Sequence, residues 1–207
     1  MGYTTIKDRA EASFIEKKSE FIGYIAPVTT NDEAVAFINE VKAKHRKAKH
    51  NVYAYILREG NTSRYSDDGE PQGTAGIPVL DVLKKRGLTD VCCVVTRYFG
   101  GILLGGGGLV RAYSHAVSIA IDSATIMDMC SSYEVSFVTD YTLYGRVSYI
   151  LPEFGVKLLD TIFEDNVTTK LLVRVEQFEP LKAKLIDISN GAITVQRSEE
   201  KYMDFNN

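Results

Sequence analysis

Apolar positions along the chain change rhythm every ten residues or so, and each change marks an element. The run SFIEKKSEFIGYIAPV, beginning at Ser13, alternates as two short strands or one bent strand and stops at Pro27. In TNDE, Thr30 stands three residues before Glu33, the spacing of a capping box that opens a helix. Val35, Ile38 and Val41, with Ala34 and Phe37, then recur at the helical period and predict its inward face. That helix runs out into KAKHRKAKH, residues 42–50. NVYAYILRE predicts a strand, whereas TSRYSDDGEPQGTAGIP is rich in turn residues and has no apolar period. Pro78 suits the first turn of a short helix, PVLDVLKKRG, with Gly87 as its stop. DVCCVVTRYF is apolar at odd and even positions alike, which predicts a central strand covered on both faces. LVRAYSHAVSIAIDSATI keeps small and apolar residues at helical spacing and predicts the longest helix.

The remainder follows a second plan. YEVSFVTD, VKLLDTIFED, VTTKLLVRVE and AITVQRS read as strands, and YTLYGRVSYILPEFG and EPLKAKLIDISNG as helices. The order β-α-β-β-α-β is that of a ferredoxin-like split motif. Periodicity breaks in MDMCSSY, so the boundary is expected near Cys130–Ser132, giving domains 1–130 and 131–207.

Composition narrows the picture. The 207 residues suffice for one large or two small domains, and 45% hydrophobic with 25% charged content is that of a globular protein. No apolar run approaches the roughly 20 residues of a membrane span, and MGYTTIKDRAEASFIEKK lacks the apolar stretch of a signal peptide. Cys92, Cys93 and Cys130 form no metal-binding or disulfide pattern, so reduced, buried thiols and a cytoplasmic location are expected. A net charge of −3 argues against a protein that coats nucleic acid. Residues 1–130 carry 16 basic against 15 acidic side chains and residues 131–207 carry 8 against 12, so an anionic partner is better matched to the first segment.

Candidate chemistry gathers in TRYFGGILLGGGGLVRAY, residues 96–113, which hold six of the sixteen glycines. Glycine at this density costs backbone entropy. The loop stands between a strand and a helix, where unpaired amides and the helix dipole favour an anion. Arg111, about three residues into the helix, opposes the dipole by about 0.3–1 kcal/mol unless an anion sits in front of it. The alternative is structural: Gly105, Gly106, Gly107 and Gly108 would serve close packing or positive φ angles. Neither G-x-x-x-x-G-K-[ST] nor G-x-G-x-x-G fits the loop. In the preceding SDDGEPQGTAG, Asp67, Asp68 and Glu70 admit Mg²⁺ binding through carboxylate oxygens, ion pairs with Arg97 and Arg111, or turn formation. The basic run 42–50 reads either as a phosphate-binding stretch or as cations favoured at a helix C-terminus. His50 opens a strand and is a structural or a site histidine; Tyr98 and Tyr113 suit base stacking or packing, and His115, in mid-helix, suits packing.

The segments KKSEFIGYIAPV, HNVYAYIL, SDDGEPQGTAGIPVL and VVTRYFGGILLGGGGLVRAY together resemble the IMPACT/YigZ family over roughly residues 14–125. The tail resembles the C-terminal domain of the bacterial members, which is similar to the last domain of elongation factor G. The resemblance implies an α+β protein: a ribosomal protein S5 domain 2-like domain followed by a ferredoxin-like one. The first fold is shared with small-molecule kinases that hold phosphate on a glycine-rich loop opening a helix. Eukaryotic relatives act in translational control by binding a ribosome-associated activator of an initiation-factor kinase, and bacterial members are linked to translation or nucleic acid. The expectation is a non-enzymatic module binding RNA or a ribosome-associated protein, with no membrane partner and no cofactor. Arg97, Tyr98, Thr74, Gly105–Gly108, Arg111 and Tyr113 would present to phosphate and bases. An enzyme acting on a small phosphorylated metabolite is the alternative, with Mg²⁺ and catalytic candidates Asp67, Asp68, Glu70 and His50. A protein-interaction scaffold is a further one.

Overall fold

A computed structural model describes residues 2–205. The chain is α+β and divides into two compact units, Tyr3–Met127 and Asp128 onward, with Gly2 grouped with the second.

In the first unit, after a short β1 (Tyr3–Ile6), five strands form one antiparallel sheet. They are β2 (Ala10–Glu16), β3 (Ser19–Pro27), β4 (His50–Leu57), β5 (Thr62–Ser66) and β6 (Val91–Tyr98), in the order β2-β3-β6-β4-β5. SFIEKKSEFIGYIAPV is therefore two strands. Lys17 and Lys18, both at positive φ, make the two-residue turn between them. Gly100 packs on that turn: a Cβ there would stand 1.9 Å from the Lys18 carbonyl oxygen, so only glycine fits.

Helix α1 (Asn31–Lys44) covers one face, and α2 (Gly76–Lys85) and α3 (Gly106–Asp122) cover the other. The capping box of α1 is present as expected, but its buried face is Ala34, Phe37, Ile38 and Val41; Val35 turns outward, 42% exposed. Strand β6 shows why its sequence is apolar throughout. Cys93 and Val95 pack under α2 and α3, while Cys92 and Val94 pack under α1. The three cysteines are free and buried, and burial pushes the Cys92 thiol up. The turn-rich segment contains β5, which periodicity does not reveal because this edge strand buries little on either face.

In the second unit, β7 (Ile126–Thr139), β8 (Lys157–Phe163) and β9 (Val167–Arg174) pair antiparallel in the order β7-β9-β8. Two short strands, β10 (Gln196–Arg197) and β11 (Lys201–Asp204), share the other edge of β7. Helices α4 (Tyr141–Ile150) and α5 (Val175–Ile188) close one face over Val135, Phe137, Leu171 and Val173. This is the ferredoxin-like arrangement, with a last strand in two pieces. MDMCSSY is not a break: β7 runs through it because β11 pairs with Met129–Ser132. The Ser132 hydroxyl there donates to backbone carbonyls, so a polar residue sits buried without cost in hydrogen bonds. Helix α5 begins at Val175, ahead of the expected EPLK start, and carries Pro180 inside it.

Candidate functional site

The acidic loop after β5 is spoken for by the protein itself. The Asp67 carboxylate accepts from the amides of Gly73, Ala75 and Gly76, which closes the N-terminus of α2. Asp68, at φ 42°, accepts from Lys42 Nζ and from the Asn51 amide, each at 2.7 Å, and its carbonyl oxygen lies 2.9 Å from His50 Nδ1. Glu70 is buried and accepts from Arg97 Nη1 at 2.7 Å and from the Tyr113 hydroxyl at 2.8 Å. Asp67, Asp68, Glu70 and His50 therefore form turns and ion pairs instead of converging on a reacting centre. Among the described residues no three His, Cys, Asp or Glu side chains come together as a metal site.

The same geometry corrects three of the expected phosphate or base contacts. Arg97 is 5% exposed and Tyr113 fully buried, both directed at Glu70 beneath α3. Burial, then the Glu70 charge, pushes the Tyr113 hydroxyl far up, so it stays protonated and donates. The Arg97 guanidinium lies over the rings of Phe21 and Phe99, at 5.4 and 5.5 Å from their centroids. Strand alternation sends Tyr98 to the opposite, α1 side. There its hydroxyl lies 2.9 Å from Nδ1 of His45, whose Nε2 lies 2.7 Å from the Tyr24 hydroxyl. His45, from the basic run, is buried in this relay; burial and then Lys44 lower its pKa.

The glycine loop behaves differently. Gly105, the residue before α3, sits at φ 70°, ψ 164°, a conformation reserved for glycine, and offers no side-chain cap. At Gly108 an added Cβ would come within 3.1 Å of Leu104 Cβ. Gly106 and Gly107 have neither constraint. They are exposed, their φ angles are ordinary for a helix start, and an added Cβ would meet only Thr74 Cγ2 and Arg111 Nη1, each at 3.8 Å. Bare amides at the start of α3 thus face an open surface, flanked by Thr74 on one side and the exposed Arg111 guanidinium on the other. Phe99, Ile102 and Leu103, from the same loop, are exposed beside them, Leu103 to 82%.

A cavity of about 270 Å³ adjoins this surface. Gly108, Arg111, Ala112 and His115 line it from α3, Phe14, Glu16 and Lys17 from the hairpin, and Leu104 from the loop. Sequence reasoning assigns His115 to packing and passes over Lys17 and Phe14. His115 does meet the Phe14 ring, at 4.6 Å and 76°, yet it is exposed. The signal available in the sequence was its spacing: Arg111 and His115 are four apart on one helix face. Lys17 carries no such signal, since the β2–β3 turn and its contact with Gly100 bring it here.

The model of the Impact N-terminal domain matches residues 17–121, and that of a domain of unknown function (DUF1949) matches residues 137–192. The chain is 36% identical over 204 residues to "IMPACT family member YvyE" of Bacillus subtilis (strain 168), covering 98% of this chain and 94% of that protein. It is 33% identical to "IMPACT family member YigZ" of Escherichia coli (strain K12), covering 89% and 92%. "Protein IMPACT homolog" of Dictyostelium discoideum is 38% identical over 115 residues, 53% of this chain and 32% of that protein. A solved structure titled "Crystal structure of an hypothetical protein" superposes with a TM-score of 0.60 at 30% identity, covering 97% of this chain and 98% of that one.

Proposed function

The chain belongs to the IMPACT family, and from that membership and the uncapped start of α3 we propose that it is a non-enzymatic, cytoplasmic module of translational regulation. It holds the phosphates of RNA, free or in a ribosome-associated assembly, on the amides of Gly106–Gly108 and on Arg111. The observation that carries this reading is the pair Gly106 and Gly107, where neither backbone conformation nor packing requires glycine. What glycine does provide there is unobstructed N–H groups at the positive end of a 17-residue helix. The contrast with α2 supports it: Asp67 accepts from the Gly76 amide at that helix start, whereas among the described residues no side-chain acceptor meets the amides of Gly106–Gly108. Arg111 is the sixth residue of α3, beyond the first turn on which the dipole acts and not about three residues in as the sequence suggests, but its guanidinium lies beside Gly107 and would add a second positive group to a bound phosphate. The carboxylates that an enzyme reading requires are held in ion pairs and turns.

The test is the salt dependence of binding to single-stranded RNA. Affinity should fall linearly on a log–log scale with salt, and Arg111→Ala should reduce the slope by about 0.7–1 while leaving the fold intact. An interaction that is absent, or independent of salt, sinks the proposal.

A further inference from the structure

Resting on that phosphate-binding reading, we infer that the cavity between α3 and the β2–β3 hairpin receives a single nucleobase, stacked against His115 and Phe14, with the attached phosphate held by Arg111. The two tyrosines suited to base contact by sequence are engaged elsewhere, Tyr113 with Glu70 and Tyr98 with His45. An aromatic surface nevertheless adjoins the phosphate groups. The Phe14 and His115 rings meet at 76°, a corner that offers a base one ring face to stack on and one edge to abut. Phe14 is itself stacked on Phe21, at 5.3 Å and 15°, which ties its position to the core. Leu104 and Ala112 supply apolar lining, and Arg111 and Lys17 supply two cations against the one carboxylate of Glu16. At about 270 Å³ the cavity falls just below the roughly 300–1,000 Å³ of pockets for drug-sized ligands, so it suits one base and not two. The Arg111 guanidinium reaches Gly107 as well as the cavity, and so joins base and phosphate subsites in one ligand. The occupant is therefore an unpaired nucleotide of a single strand, since a base held in a duplex cannot enter.

The experiment compares a short oligoadenylate with the abasic oligomer of the same length and charge, by fluorescence anisotropy at fixed salt. Oligoadenylate should bind about five- to a hundredfold more tightly, and His115→Ala should remove most of that difference, with His115→Phe restoring it. Because His115 is exposed, thermal unfolding of His115→Ala should stay near that of the parent chain. If both oligomers bind equally, the base pocket is refuted and the phosphate site stands. If neither binds, the phosphate reading fails and takes the pocket with it. A base preference that survives His115→Ala places the base elsewhere and also overturns the inference.

Discussion

Glu70 and Arg97 are 8% and 5% exposed, so neither charge can be removed without stranding the other in the interior. Glu70→Ala should therefore destabilise the first unit by about 3–5 kcal/mol, read as a shift in the urea midpoint. A joint Glu70→Leu, Arg97→Met, Tyr113→Phe replacement, which leaves neither a buried charge nor the Tyr113 hydroxyl without its acceptor, should recover most of the loss. Equal stability of single and triple variants would show that the pair is not the cause. The sequence already contained the ingredients. It allowed the acidic residues as ion-pair partners of Arg97, and Glu70 is that partner. It could not reveal which of three neighbouring acids would turn inward, because that depends on strands β4 and β6 bringing Asn51 and Arg97 to the loop from opposite directions. Of the two roles the sequence allows Tyr98, packing is the one the structure shows, for a simpler reason: next to Arg97 in sequence, it lies across the sheet from it.

For whole elements, the legible features were those whose signal is local. The Thr30–Glu33 capping box, the doubly apolar β6 and the long α3 follow from period and cap alone. Strand β5 was hidden because, as an edge strand held by its hairpin with β4, it buries little on either face, and the early part of β7 because pairing with the distant β11, not apolar alternation, holds it. The start of α3 lies between these cases: its glycines were visible, but whether they serve packing or ligand was not. Gly105 and Gly108 answer to structure, Gly106 and Gly107 do not. That division makes Gly107→Ala decisive. In a helix an alanine is favoured over glycine by about 1 kcal/mol or less, so the variant should be as stable as the parent or slightly more so. Its methyl group would stand over the amides beside Arg111, and RNA affinity should fall at least severalfold. Loss of stability with unchanged binding would return these glycines to a packing role.

Across the whole molecule, every group of the proposed phosphate site belongs to the first unit. The Impact N-terminal domain match, residues 17–121, contains Lys17, Thr74, Gly105–Gly108, Arg111 and His115, and every other group assigned to the site save Phe14 and Glu16, which lie just before it. Each unit also closes its own apolar core. Val95, Leu109 and Val117 belong to one cluster, and Val135, Leu171 and Leu185 to another. Residues 128–207 carry 8 basic against 13 acidic side chains, so the second unit adds negative charge that repels a polyanion at low salt. A chain ending at Met127 should therefore unfold cooperatively and bind single-stranded RNA at least as tightly as the full protein, with the advantage shrinking as salt rises. Should the fragment fold but bind weakly, the second unit contributes contacts of its own, and the open face of its sheet becomes the place to look for them.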